Sequence, residues 1–120
     1  MAKVLIVDDE TLTIDMLSSY LSLIGHNPIG AYNGRQMWDK LAFEEPDAIL
    51  LDIMLPDANG LDLCRKLREN PETKRLPIIM ISAWNPPMTK ESETAGATGY
   101  LAKPINLEKL KNALNSVSAR

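Results

Sequence analysis

The sequence predicts an α/β fold: a parallel sheet with helices on both faces. Three observations lead there. Short apolar runs and helix-periodic segments alternate five times along 120 residues. The connections between them are short, so each strand must return to the sheet through a right-handed crossover. The runs are also continuous rather than alternating, as in Ala48-Ile49-Leu50-Leu51. That is the pattern of a strand buried on both faces.

Taken in order, residues 3–7 form the first strand. A helix over 11–24 follows, with Met16, Leu17, Tyr20, Leu21 and Ile24 on its apolar face. Gly25 ends it as a left-handed C′ residue. Residues 27–31 make a weaker second strand, and Pro28 sends it to a sheet edge. Asn33 caps a second helix with Met37, Trp38 and Leu41 inward, and Pro46 closes it. The central strand runs over 47–51. After a loop over 56–60, a third helix buries Leu61, Cys64, Leu67 and the stem of Arg68, and Asn70-Pro71 stops it.

The fourth strand covers 76–81. Asn85-Pro86-Pro87 is a turn, and the helix after it, over 89–95, has only Met88 and Ala95 as apolar anchors. It is expected to be the least stable helix. The fifth strand covers 98–102. Asn106 caps a last helix whose inner face is Leu107, Leu110, Leu114 and Val117.

Bulk properties narrow the function. The length fits one domain, 1–120, and 45% hydrophobic residues suffice for a core. Thirteen basic and sixteen acidic residues give a net charge of −3, with no Lys/Arg block to bind nucleic acid directly. Cys64 is the only cysteine, which excludes an intrachain disulfide and points to the cytoplasm. Four apolar residues between Lys3 and Asp8 are too few for a signal core or a membrane span.

Chemistry collects at the strand ends. The first run stops on Asp8-Asp9, the third on Asp52, the fourth on Ser82 and the fifth on Lys103. In open α/β sheets the carboxyl edge is where ligands bind. Three carboxylates about 5 Å apart repel by roughly 3 kcal/mol per pair at an effective dielectric near 20. A cation would relieve this, and an all-oxygen, water-accessible set suits Mg²⁺ better than zinc. Asp52 is either a further metal ligand or a nucleophile that accepts a phosphoryl group as an acyl phosphate. Transfer to it needs neutralised charge, which Lys103, a Ser82 hydroxyl and a metal would supply. Singly, each residue has a plainer role: acids at a helix start, a snorkelling Lys, a turn Ser. Five together at strand ends do not.

Val7-Asp8-Asp9-Glu10, Leu51-Asp52-Ile53-Met54-Leu55-Pro56 with Gly60, Ile81-Ser82-Ala83 and Gly99-Tyr100-Leu101-Ala102-Lys103-Pro104 resemble the receiver domain of two-component response regulators. The resemblance spans the chain in order and approximate spacing. It implies a flavodoxin-like five-stranded sheet in the order 2-1-3-4-5, and Mg²⁺-dependent phosphorylation of Asp52 by a sensor histidine kinase or phosphotransfer protein. It implies direct metal binding by Asp9 and Asp52, water-mediated binding by Asp8, and a ligand from the Met54 carbonyl. Ser82 and Lys103 would contact the phosphoryl group. Tyr100 would be a switch aromatic, with a half-buried core tyrosine as its plainer role, and Lys103-Pro104 would be cis. The downstream partner would be an effector protein or a fused output domain, reached through the fourth helix, fifth strand and fifth helix.

Two features depart from that pattern. Trp84 lies two residues past Ser82, and Ile105 follows Lys103-Pro104 where an aromatic is common. Trp84 with Met54 would flank the phosphoryl group and restrict water; an exposed aromatic with no such role is the alternative. A phosphohydrolase is disfavoured because Met54, not an acid, stands two residues after Asp52. A flavin carrier is disfavoured because the first strand-to-helix turn, Asp8-Asp9-Glu10-Thr11, is acidic. His26, the only histidine, lies between a helix end and an edge strand, away from this chemistry.

Overall fold

The structure is a computed structural model that describes residues 2–118, with side chains described through 116. Five strands and five helices alternate: β1 (Lys3–Val7), α1 (Thr11–Leu23), β2 (Asn27–Ala31), α2 (Gly34–Glu44), β3 (Ala48–Asp52), α3 (Gly60–Glu69), β4 (Ile78–Ser82), α4 (Thr89–Thr94), β5 (Gly99–Ala102) and α5 (Leu107–Ser118). All strand pairs are parallel, in the order β2-β1-β3-β4-β5. The flavodoxin-like fold expected from the sequence is the fold observed.

The continuous apolar runs explain the two-layered core. Leu5, Val7, Ile49, Leu51, Ile78 and Met80 point to one face, where Met37, Leu63, Cys64 and Leu67 of α2 and α3 cover them. Val4, Ile6, Leu50, Ile79 and Ile81 point to the other, under Leu17 and Leu21 of α1 and Leu110 and Leu114 of α5. β3 is buried along its whole length, between β1 and β4. β2, with Pro28, is an edge strand, as the proline required.

Local chemistry sets the element ends. Asn33 accepts the N–H of Gln36 (2.8 Å), Asn59 that of Leu61 (2.8 Å) and Asn106 that of Lys109 (3.0 Å), each capping a helix start. Gly25 takes φ +92° after α1. Three expectations change. In α1, Ile14 is buried and Met16 is nearly half exposed; apolar residues surround this helix, so its phase is ambiguous from sequence. In α3, Leu63 joins the buried face. β3 and β4 extend through Asp52 and Ser82 themselves, so both side chains are anchored within strands. The side chain of Val117 lies outside the described residues.

α4 is the shortest helix, six residues, with Ser92 buried in it and Ala95 buried at its C-cap. Among the described residues no helix is long and apolar enough to cross a membrane.

Candidate functional site: an acidic pocket around one lysine

Register brings the strand ends together. Val7 pairs with Leu51, so Asp8 and Asp52 leave adjacent strands at the same level. Carboxylate oxygens of Asp8, Asp9 and Asp52 all lie within 4.8 Å of one another. Asp8 and Asp52 are buried, and Asp9 is open to solvent. On the other flank Ser82 pairs with Ala102, and the Lys103 N–H donates to the Ser82 carbonyl (2.8 Å).

That anchoring aims the Lys103 side chain across the sheet. Its ammonium lies 2.7 Å from Asp8 Oδ2, 3.0 Å from Glu10 Oε1 and 3.1 Å from Asp52 Oδ2. The ion pair to Asp8 is the shortest of the three and reaches a fully buried carboxylate oxygen. The other oxygens bond locally: Asp8 Oδ1 accepts the Glu10 N–H (2.9 Å) and Asp52 Oδ1 the Met54 N–H (3.1 Å).

The electrostatics follow. Burial, reinforced by the neighbouring Asp8 charge, raises the Asp52 carboxyl from 3.8 to about 6, against the opposing pull of Lys103 and of the Met54 N–H. Burial alone would pull the Lys103 ammonium down; its contacts to Asp8, Glu10 and Asp52 outweigh this and hold it above its usual range. One ammonium pairs with three carboxylates, and Asp9 adds a fourth to the cluster, so the pocket keeps an excess of negative charge. Its donors are hard oxygens with no His or Cys among them, which fits a hard divalent cation.

Ser82 is buried, and its Oγ accepts the Trp84 N–H (3.0 Å), leaving its own proton free to donate. Trp84 and Met54 are half exposed, at 49% and 55%. Tyr100 is half buried on β5, packed against the α2/α3-side core, and its hydroxyl accepts the Met88 N–H (3.1 Å). Lys103-Pro104 is cis, and so is Asn85-Pro86.

Two long-range contacts were not legible in the sequence. Glu10 reaches Lys103 from 93 residues away. Asp57, in the loop after β3, accepts the N–H groups of Gly34 (2.8 Å) and Arg35 (3.0 Å), fastening that loop to the start of α2. Those bonds hold the exposed Asp57 carboxyl below its ordinary range.

Comparison with known proteins agrees with this geometry. Residues 4–115 match the response regulator receiver domain family. Protein PilH of Pseudomonas aeruginosa is 35% identical, covering 99% of both chains. The chemotaxis response regulator CheY4 of Vibrio cholerae superposes with a TM-score of 0.88 at 34% identity, over 98% of each chain. The receiver domain of sensor histidine kinase PA1611 of Pseudomonas aeruginosa, with a magnesium ion coordinated in its active site cleft, superposes with a TM-score of 0.89 at 26% identity, over 99% of this chain and 98% of that one. Strand order, the acidic pocket and the family match together place this chain in the response regulator receiver domain family, as the receiver domain of a two-component response regulator.

Proposed function

We propose that Asp52 is the phosphoacceptor of this receiver and that its phosphorylation requires Mg²⁺. The observation that carries this reading is the Lys103 ammonium, held between Asp8 and Asp52 at the edge of a three-carboxylate cluster. Asp9 and Asp52 would hold the ion directly, Asp8 through water, and the Met54 carbonyl would complete the protein ligands. When bound, the ion supplies positive charge to the phosphoryl oxygens.

The chain's own groups do the rest. An Asp52 oxygen attacks the phosphorus of a histidyl phosphate. The P–N bond breaks as the P–O bond forms, and the imidazole leaves with the bonding pair and takes up a proton. Lys103, already 3.1 Å from Asp52 Oδ2, follows the charge onto the phosphoryl group. The free Ser82 hydroxyl proton turns toward a phosphoryl oxygen. Phosphorylation adds about two negative charges.

Ser82 and Tyr100 hold opposite ends of the β4–α4 connection, through Trp84 N–H and Met88 N–H. Moving Ser82 therefore loosens the segment that Tyr100 pins, and the face made by α4, β5 and α5 changes. The chain catalyses only its own phosphorylation and dephosphorylation. Its partners are a sensor histidine kinase or phosphotransfer protein in the cytoplasm, and an effector protein or fused output domain. Residues 1–120 act as one receiver unit.

The test is phosphoramidate as donor, with and without Mg²⁺, read by intact mass. The wild type gains one phosphoryl mass only with Mg²⁺, and Asp52→Asn gains none. Equal labelling of Asp52→Asn would reject Asp52 as the acceptor.

A further inference from the structure

Glu10 is the residue before α1, in the N-cap position, yet its side chain makes no capping bond. It turns instead to Lys103, 3.0 Å away. The two partners differ sharply in environment: the Lys103 side chain is 13% exposed and that of Glu10 63%. Because Glu10 Oε1 and Asp52 Oδ2 touch the same nitrogen, at 3.0 and 3.1 Å, they lie at most about 6 Å apart. Glu10 and Lys103 also line a groove of about 400 Å³ with Thr13, Met16, Pro104 and Ile105. A phosphodonor reaching Asp52 beside this groove passes a carboxylate whose charge is offset only in part, since the one ammonium is shared among Glu10, Asp8 and Asp52.

We propose that Glu10 is a specificity-determining residue that repels phosphodonors in proportion to their negative charge, favouring N-phosphoryl donors over acyl phosphates. This rests on Asp52 being the phosphoacceptor. With an acyl phosphate, the P–O bond breaks and a carboxylate leaves, so the donor brings its full anionic charge. With phosphoramidate, the P–N bond breaks, the protonated nitrogen offsets one charge, and ammonia leaves. In both cases an Asp52 oxygen forms the new P–O bond. At about 6 Å in a water-like dielectric, one unit of charge changes the encounter by about threefold, and screening by salt at this range reduces it to about twofold. Glu10 accepts no proton and makes no bond in the step.

The experiment measures phosphorylation rate constants for acetyl phosphate and for phosphoramidate, with Mg²⁺, on the full chain. Glu10→Gln is expected to raise the acetyl phosphate constant more than the phosphoramidate one, changing their ratio about two- to threefold at low salt. The change should shrink in high salt, and Glu10→Asp should keep the wild-type ratio. An unchanged ratio in Glu10→Gln, or an equal change for both donors, would overturn the proposal. If Glu10→Gln does not fold, Glu10→Ala carries the same test: it must shift the ratio in the same direction, and an unchanged ratio would overturn the proposal. A wild type that neither donor labels would instead overturn the assignment of Asp52.

Discussion

The Tyr100 hydroxyl accepts the N–H of Met88, the residue that opens α4, at 3.1 Å. Met88 offers no side-chain cap of its own, and six residues are too few for a helix to hold itself. Tyr100 thus supplies from β5 the acceptor that the helix start lacks. Replacing Tyr100 with Phe keeps the ring packing and removes one hydrogen bond, worth about 1 kcal/mol. Amide exchange over residues 89–94 should accelerate by roughly fivefold, while the global unfolding midpoint moves little, because α4 opens locally. Exchange mass spectrometry checks this, and unchanged protection in α4 would show that the bond does not hold the helix.

Gly60 lies against the backbone that carries Asp52. Its N–H donates to the Ile53 carbonyl (2.7 Å). A Cβ there would overlap the Asp52 carbonyl oxygen and approach Ile53 Cα to 2.8 Å. Both obstacles are backbone, so no flexible side chain can yield. Gly60→Ala should cost about 1–3 kcal/mol or more by overpacking, and should displace Asp52 from Lys103. Urea unfolding and phosphorylation by phosphoramidate should both be impaired. A variant of normal stability and rate would mean that the loop after β3 shifts freely.

Much of this site was legible because parallel strands announce themselves. Runs such as Ile78-Ile79-Met80-Ile81 fix each strand, and the polar residue ending each run then marks one edge of the sheet. What sequence could not supply was anything set by long-range side-chain reach. Glu10 looked like a helix-start acid, and only the packing of β5 beside β4 brings Lys103 to it. Asp57 lies in the loop over 56–60 with no signal of its own, and only the fold sets it over the α2 N-terminus. The sequence predicts only a packed stem for Arg68. Its guanidinium in fact ties three segments, donating to the carbonyls of Leu76 (2.6 Å) and Gly96 (2.7 Å) and to Thr98 Oγ1 (3.2 Å).

Trp84 lies two residues past Ser82 at the end of β4, as Met54 lies two past Asp52 at the end of β3, and both side chains are half exposed. Ser82 accepts the Trp84 N–H, so the indole is carried by the residue expected to move on phosphorylation. A bulky group there should hinder water from reaching the phosphorus. Trp84→Ala should therefore speed loss of the phosphoryl group, by roughly threefold, a barrier change of about 0.6 kcal/mol. Decay of the phosphorylated mass after removal of donor measures it. An unchanged or slower decay would assign Trp84 no shielding role.

The raised Asp52 carboxyl makes a signed prediction about metal-free stability. Its folded-state value, about 6, exceeds the ordinary 3.8, so the native state holds this proton more tightly than the unfolded chain does. Between those values the folded protein binds more protons, and stability must fall as pH rises. Below about pH 4 the carboxyl is neutral in both states and nothing is lost. Above about pH 6 the full penalty applies, at most about 3 kcal/mol for this shift. Asp52→Asn removes the titration. In EDTA, its stability should match that of the wild type near pH 4 and exceed it increasingly up to about pH 6, then by a constant amount. Mg²⁺ at pH 7.5 should raise the wild-type melting temperature and move Asp52→Asn less, since one ligand charge is missing. Urea or thermal unfolding across pH checks both. A wild type more stable than Asp52→Asn at pH 7.5 without metal would mean that the Lys103 pair outweighs burial and the Asp8 charge.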